Sequence, residues 1–282
     1  MPFVRSILTL LFLLLSPMQS AHAGDGRYIY LGSTTTTYDS GLLSFLLPQF
    51  EEITGIEVRP IVRGTGQILK LGKRGDIDLL IVHDRASEEE FVESGYGIHR
   101  QEVMYNDFVL LGPRSDPAGV RQTKDIGEAL ELIAKTEALF LSRGDNSGTH
   151  KREMELWSDQ DIKPQAMSLD WYRETGSGMG ATLNNAVVTG AYLLADRATW
   201  TAFRNKRDLA ILFEGGENLR NVYSIILVDD ERHPHIKKKE ALLFRDWITS
   251  REGQKAIADF RLDGQQLFFP SALKSQELRS SQ

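Results

Sequence analysis

Residues 28–66, YIYLGSTTTTYDSGLLSFLLPQFEEITGIEVRPIVRGTG, hold one full unit of the architecture. Tyr28-Ile29-Tyr30-Leu31 reads as a strand, and a run of hydroxyls follows it. Leu42, Leu43, Leu46, Leu47, Phe50 and Ile53 then recur at helical spacing as one apolar face, and Gly55 supplies the stop. Pro48 runs against helix propensity and is expected to kink the helix or to sit near an end. Ile56, Val58 and Ile61 start the next strand, which leads into Gly64-Thr65-Gly66. Strand, small polar loop, helix, strand is the building unit of an α/β fold.

The alternation continues outward. Gln67 to Lys73 reads as a short helix, and Leu79 to Val82 as a continuous apolar run typical of a buried parallel strand. Ser87 to Glu90 has the S-x-x-E form of a capping box and is expected to open a helix through Phe91 and Val92. Tyr105 to Leu111 (YNDFVLL) and Val222 to Val228 (VYSIILV) are longer and strongly β-prone. Between them lies a second alternating block. Ala138 to Leu141 and Tyr192 to Leu194 read as strands, Thr149 to Trp157 and Gly180 to Val188 as helices. A chain that leaves one lobe by one long strand and returns by another makes two lobes with a hinge. The expected lobes are residues 24–108 with 224–282, and 109–223, built on mixed, mostly parallel sheets. There is no internal repeat, no low-complexity stretch and no heptad pattern. The last eight residues are polar and expected to fray.

The first 23 residues have another character. Arg5 gives a positive start, Ile7 to Leu15 is apolar, and Ala21-His22-Ala23 is a small-x-small cleavage site. This is the pattern of a secretory signal peptide at residues 1–23, with an apolar run too short for a stable membrane span. The whole chain carries 33 Lys and Arg against 39 Asp and Glu, a net charge of −6, and cleavage would make it one unit more negative. That balance, with no basic run, argues against nucleic acid as a partner. Cysteine is absent, so stability after export rests on packing without disulfides. A lipidated cysteine is equally excluded, so the mature protein is expected to be soluble and retained in a Gram-negative periplasm.

Four segments share one composition: Ser33-Thr34-Thr35-Thr36-Thr37, Gly64-Thr65-Gly66-Gln67, Ser142-Arg143-Gly144-Asp145-Asn146-Ser147-Gly148-Thr149-His150, and Thr175-Gly176-Ser177-Gly178. Each precedes an expected helix, and the first three also follow an expected strand. Glycine lets backbone N–H groups approach a ligand closely. Hydroxyls donate hydrogen bonds without charge. A helix N-terminus adds free N–H donors and about half a positive charge. Singly, such segments are ordinary caps and turns. Together they suit an oxyanion. A tetrahedral dianion stripped of water needs several donors per oxygen, and many neutral donors avoid the cost of burying several cations. Arg143 is the one cation expected in the site, where its planar fork can hold two oxygens at once. Asp145 could orient Arg143 or cap a turn. The candidate ligand-binding set is Ser33, Thr34, Thr35, Thr65, Gly66, Arg143, Ser147, Gly148, Thr149, Thr175, Gly176 and Ser177.

Other patterns imitate enzymes. Ser147 and His150 with Asp84 or Asp145 could be read as a hydrolytic triad, but no G-x-S-x-G elbow is present and the two residues are neighbours by helical periodicity alone. His83-Asp84 reads as a loop pair at a strand end. His233-Pro234-His235 lacks a third metal ligand at a known spacing and reads as an exposed turn. Gly64-x-Gly66 lacks the third glycine of a dinucleotide fingerprint, and there is no P-loop. No metal site and no cofactor is expected.

At these residues the chain resembles the tungstate-binding proteins of bacterial ABC transporters, the TupA type. The resemblance covers nearly all of the mature chain. It is carried by STTTTYDSGLLSFLLPQFEEITG (33–55), GTGQILKLGKRGDIDLLIVHD (64–84), VMYNDFVLLGPRSDPAG (103–119) and FLSRGDNSGTHKRE (140–153). It implies a two-lobed, type II periplasmic-binding fold that closes on an oxyanion, and delivery to a permease and ATPase made by other chains. The family usually shows Thr-Thr-Thr-Ser in the first loop. Here Ser33-Thr34-Thr35-Thr36 stands in its place, so serine and threonine exchange ends and all four hydroxyls remain. Arg143 with Ser147-Gly148-Thr149 also looks like the R-x-x-x-S-G-T arrangement of phosphate-binding proteins. The expectation is therefore a monomeric periplasmic receptor for tungstate, with molybdate as a weaker ligand. The alternatives are a phosphate or sulfate receptor, and a secreted enzyme or sensor module. Phosphate carries a proton near neutral pH, so a free buried carboxylate would favour it, and Asp145 is the residue that decides.

Overall fold

The computed structural model describes residues 27–145, 147–166 and 170–273. The expected signal peptide, Asn146 and the polar tail from 275 onward lie outside the described residues.

The opening unit forms as its pattern predicts. Strand β1 (Tyr28–Thr34) runs straight into a one-turn helix α1 (Thr35–Asp39), then α2 (Leu42–Thr54), β2 (Glu57–Arg63), α3 (Thr65–Arg74) and β3 (Leu79–Val82). β2 and β3 both lie parallel to β1, so the loops after β1 and β2 leave from the same end of the sheet. Leu42, Leu43, Leu46, Leu47 and Phe50 of α2 are buried, and Gly55 closes the helix at φ 66°, donating its N–H to Glu51 O at 2.8 Å. Ile53, expected on the same face, is 55% exposed, because it falls in the last turn. Pro48 lies well inside α2 and removes one hydrogen bond there.

Helix α4 (Arg85–Glu93) starts earlier than its expected capping box. Its cap is Asp84, which accepts from Ser87 N at 3.4 Å, while Asp84 N donates to Glu88 Oε1 at 3.0 Å. Ser87 is inside the helix. Strand β4 (Gly97–Pro113) follows and is the longest element. The second block holds α5 (Ile126–Thr136), β5 (Phe140–Ser142), α6 (Gly148–Ser158), β6 (Tyr172–Glu174), α7 (Met179–Thr189), β7 (Leu193–Asp196), α8 (Arg197–Ala202) and β8 (Leu209–Glu214). The chain returns through β9 (Arg220–Val228) to α9 (Lys238–Thr249), α10 (Arg251–Asp259) and the short strands β10 (Arg261–Leu262), β11 (Gln265–Gln266) and β12 (Phe269–Pro270).

β4 changes partners along its length. Residues 97–107 pair antiparallel with β9, and Met104 and Tyr105 also pair with β12. Residues 108–113 pair antiparallel with β7 and β8 instead. The fold is mixed α/β, but the expectation of mostly parallel sheets is corrected. Among the described residues, parallel pairing is confined to β1 with β2 and β3, β5 with β6, and a bridge from Phe140 to Tyr192. The long strands β4 and β9 run against each other and against their other neighbours, so antiparallel ladders predominate.

The unbroken apolar runs mark strands covered on both faces. Leu79 and Ile81 pack with Ile29, Phe50 and Phe244, while Leu80 and Val82 pack with Ile68, Phe91 and Ile226 on the other side. Phe108 and Leu110 pack with Trp157 and Tyr172, while Val109 and Leu111 pack with Met179 and Trp200. Among the described residues between 108 and 219, Ala198 of α8 is the one that packs into the first of these clusters.

Candidate functional site

The hydroxyl run after β1 is buried where strand becomes helix. Thr34 caps α1 in an extended conformation without a side-chain bond to the backbone. Its Oγ1 instead lies 3.1 Å from Thr36 Oγ1 and 2.9 Å from Thr37 Oγ1. Ser33 is also buried, but its hydroxyl turns away and donates to Ile81 O at 3.4 Å. Thr35 is half-buried. Beside this run, Thr34 is in register with Arg63 of β2, which delivers Gly64 as the cap of α3. Thr65, the first helical residue, is fully buried, and its Oγ1 has no hydrogen-bond partner among the described residues. Gly66 is half-buried behind it.

The third and fourth segments are joined to each other. Thr175 N donates to Ser142 O at 2.9 Å, and Ser177 N to Arg143 O at 3.2 Å. Thr175 Oγ1 is 2.8 Å from Thr182 Oγ1 and 3.4 Å from Arg143 O, and Ser177 Oγ donates to Thr175 O at 3.1 Å. These two hydroxyls therefore hold the loop together. Gly176 is exposed at φ 61°. The fourth segment also follows a strand, β6, which the sequence pattern missed.

Arg143 is only 3% exposed. One nitrogen, Nη2, pairs with Asp145 Oδ2, and Nε is buried without a partner among the described residues. Asp145 Oδ1 accepts from Ser147 N at 3.2 Å, so Asp145 both orients Arg143 and caps the turn. Ser147 caps α6, accepting from His150 N at 3.2 Å. Gly148 and Thr149 follow, and Thr149 Oγ1 is buried and without a partner among the described residues.

The first and third segments meet through groups that sequence reasoning missed. A Cβ on Gly148 would stand 2.6 Å from His83 Cε1, so the helix start and the imidazole are in close contact. His83 Nδ1 lies 2.9 Å from Asn221 Oδ1, Asn221 Nδ2 donates to Asn106 Oδ1 at 2.7 Å and to the Tyr223 hydroxyl at 3.0 Å, and that hydroxyl bonds to Thr36. His83 had read as a loop pair with Asp84. The available signal was the placing of polar Asn106, Asn221 and Tyr223 in or beside two apolar strands. Burial holds the His83 imidazole down at about 4, Asn221 opposes this, and the Arg143 charge adds to it. Burial raises the carboxyls of Asp39 and Asp196, with Arg143 pulling both back. Arg143 thus acts on Asp39 of α1, on His83 just after β3 and on Asp196 of β7.

The enzyme-like patterns do not assemble. Ser147 Oγ meets the backbone of His150, while the His150 ring meets Ser142 Oγ at 2.9 Å. His233 and His235 bond to the carbonyls of Lys73 and Gly75 at the end of α3, at 3.1 and 2.8 Å. His233 is half-buried, which corrects its reading as part of an exposed turn. Among the described residues no three His, Cys, Asp or Glu stand together as metal ligands, and no helix is long and apolar enough to cross a membrane.

Residues 19–252 match the family described as a PBP superfamily domain. The chain is 43% identical over 250 residues to the tungstate-binding protein TupA of Peptoclostridium acidaminophilum, covering 87% of this chain and 86% of that one. The crystal structure of a tungstate ABC transporter protein from Geobacter sulfurreducens is similar at 45% identity and a TM-score of 0.76, over 83% of this chain and 98% of that one. The tungstate-binding protein TupA of Desulfovibrio alaskensis G20 is similar at 43% identity and a TM-score of 0.77, over 86% and 98%. With its α/β fold and these likenesses over most of its length, the chain belongs to the PBP superfamily and, within it, to the family of TupA tungstate-binding proteins.

Proposed function

We propose that this protein is the periplasmic receptor of an ABC transporter and captures the tungstate dianion, with molybdate as a weaker ligand. One observation carries the reading. Arg143 is buried with Nε unpartnered, and the buried Thr65 and Thr149 hydroxyls are likewise without partners among the described residues. Buried polar groups are almost always satisfied, so a buried cation and buried hydroxyls left unpaired at helix starts point to an anionic ligand. Thr34, Thr35, Gly66, Ser147 and Gly148 complete the donor set at three helix starts. The paired state of Asp145 favours an unprotonated oxyanion over phosphate, since its oxygens already serve Arg143 and Ser147 N. Thr175, Gly176 and Ser177 act in this reading by bracing the Arg143 loop, and Ser33 by anchoring β1.

The two lobes comprise residues 24–108 with 224–282, and 109–223. The exchange of β4 partners after Asp107 supports the first crossing. β9 already pairs with Asp107 from Arg220 on, which favours a return crossing a few residues before 224. Residues 1–23 direct export and are removed, and the loaded monomer delivers tungstate to a permease and its ATPase. A thermal-shift panel of tungstate, molybdate, sulfate and phosphate on the purified mature protein tests the ligand, because a ligand that binds only the folded state raises the melting temperature. Tungstate should give the largest shift; a larger shift with phosphate would overturn the assignment.

A further inference from the structure

Helix α6 carries Lys151 one turn after Gly148. Its Nζ lies 2.5 Å from Asp84 Oδ2 and 2.5 Å from Ser87 Oγ, both at the start of α4. The Asp84 side chain is 5% exposed and that of Lys151 30%, so the pair is half-shielded from water. Burial pushes the Asp84 carboxyl up, but Lys151 and Ser87 together hold it below the usual carboxylate range, so it stays charged opposite Lys151. The pair closes one wall of a cavity of about 230 Å³ whose lining includes His83, Gly148, Arg152 and Asn221. Next to it, Gly148 rests on the His83 ring. Two adjoining contacts thus seat the start of α6 on the end of β3. That helix start carries Ser147 and Thr149, and Arg143 stands just before it.

We propose that Lys151 is a positioning residue whose ion pair with Asp84 clamps the start of α6 against the start of α4 and sets how long the anion stays bound. This rests on reading the start of α6 as part of the oxyanion site. Lys151 has no part in holding the anion in that reading; it acts through the helix. Asp84 and Lys151 fall on opposite lobes of the proposed division, so on that reading the pair holds the closed, loaded state and its loss appears in release and not in association. An ion pair that merely stabilised the fold would instead change the melting temperature of the ligand-free protein.

The test is stopped-flow fluorescence of tungstate association and release, with the mature wild type, Lys151→Met, Lys151→Arg, Asp84→Asn and the double variant Lys151→Met/Asp84→Asn. Asn at position 84 keeps an N-cap for α4 and removes the charge. Release should quicken about fivefold to thirtyfold in Lys151→Met and in Asp84→Asn, with association changed by less than about twofold. The double variant should release no faster than the faster single, and Lys151→Arg should recover most of the wild-type rate. Wild-type protein that takes up no tungstate would overturn the site reading and the clamp together. Normal wild-type binding with parental release from Lys151→Met and Asp84→Asn would overturn the clamp alone, as would a drop in ligand-free melting temperature with release unchanged.

Discussion

Arg143 and Asp145 face each other across Gly144, with Nη2 of one bonded to Oδ2 of the other. Gly144 makes the turn at φ 61°, and a Cβ there would stand 2.7 Å from Glu174 Cβ, so glycine is required on both counts. Asp145 holds one edge of the guanidinium and leaves Nε free of any partner among the described residues. The arginine is pre-set by its neighbour, which limits what it must lose in freedom on binding an oxyanion.

From that arrangement, Arg143→Ala should weaken tungstate binding more than loss of any single hydroxyl. It removes a charge-assisted contact and leaves Asp145 without its cation, a change expected to cost about 2–5 kcal/mol, or roughly 30-fold to several-thousand-fold in affinity. Arg143→Lys should fall between, because charge remains and the fork does not. Titration calorimetry checks the order. Parental affinity in Arg143→Ala would place the residue outside the pocket.

The hydroxyls divide into two groups. Thr65 and Thr149 have buried, unpartnered Oγ1 atoms, whereas Thr175 Oγ1 bonds to Thr182 and Arg143 O. Thr65→Val and Thr149→Val should each weaken tungstate binding by about 0.5–1.5 kcal/mol with little loss of stability, since no internal bond is broken. Thr175→Val should lower the melting temperature of the ligand-free protein as well. Calorimetry beside thermal unfolding separates these outcomes, and equal stability loss in all three variants would contradict the division.

Much of this was legible in the sequence because the signals are local. The α2 stripe, Gly55, and the apolar run at 79–82 each need only near neighbours to be read. The start of α4 shows the limit of that locality. Asp84 with Glu88 and Ser87 with Glu90 are two staggered boxes on one stretch, and Asp84 holds the cap while also meeting Lys151 from another helix. Ser33 and Thr34 are adjacent and chemically similar, yet strand alternation points one to Ile81 O and the other to Thr36 and Thr37. The place of His83 is not legible locally, because its partners, Asn221 and Gly148, are far away in the chain.

Two buried groups set opposite pH dependences. Burial holds His83 near 4, below its usual 6.5, so the unfolded chain binds the extra proton first. His83 therefore adds stability above about pH 6.5, and this is lost as pH falls toward 4, by up to about 3 kcal/mol. Burial raises Glu153 to about 8 from 4.5, with the Tyr172, Ser142 and Trp157 bonds opposing. Its share is whole below about pH 4.5 and is lost as pH rises through 8. Chemical denaturation across pH 4–9 should show His83→Gln flattening the acid limb and Glu153→Gln the alkaline limb. Unchanged limbs would mean that neither group carries the linkage.

Gly148→Ala should damage binding while sparing the fold. The added methyl would stand 2.6 Å from His83 Cε1 and 2.9 Å from Nδ1. The ring cannot swing away freely, because Nδ1 is bonded to Asn221. The start of α6 must then move, taking Ser147 and Thr149 with it. Alanine itself suits a helix better than glycine by up to about 1 kcal/mol, so stability should change little. Tungstate affinity should fall about tenfold or more, since small displacements of preset donors are costly. His83→Ala opens the space, so adding Gly148→Ala to that background should cost far less than it does alone. Calorimetry on the two singles and the double measures the coupling. Additive losses would mean that the imidazole and the helix start do not act through this contact.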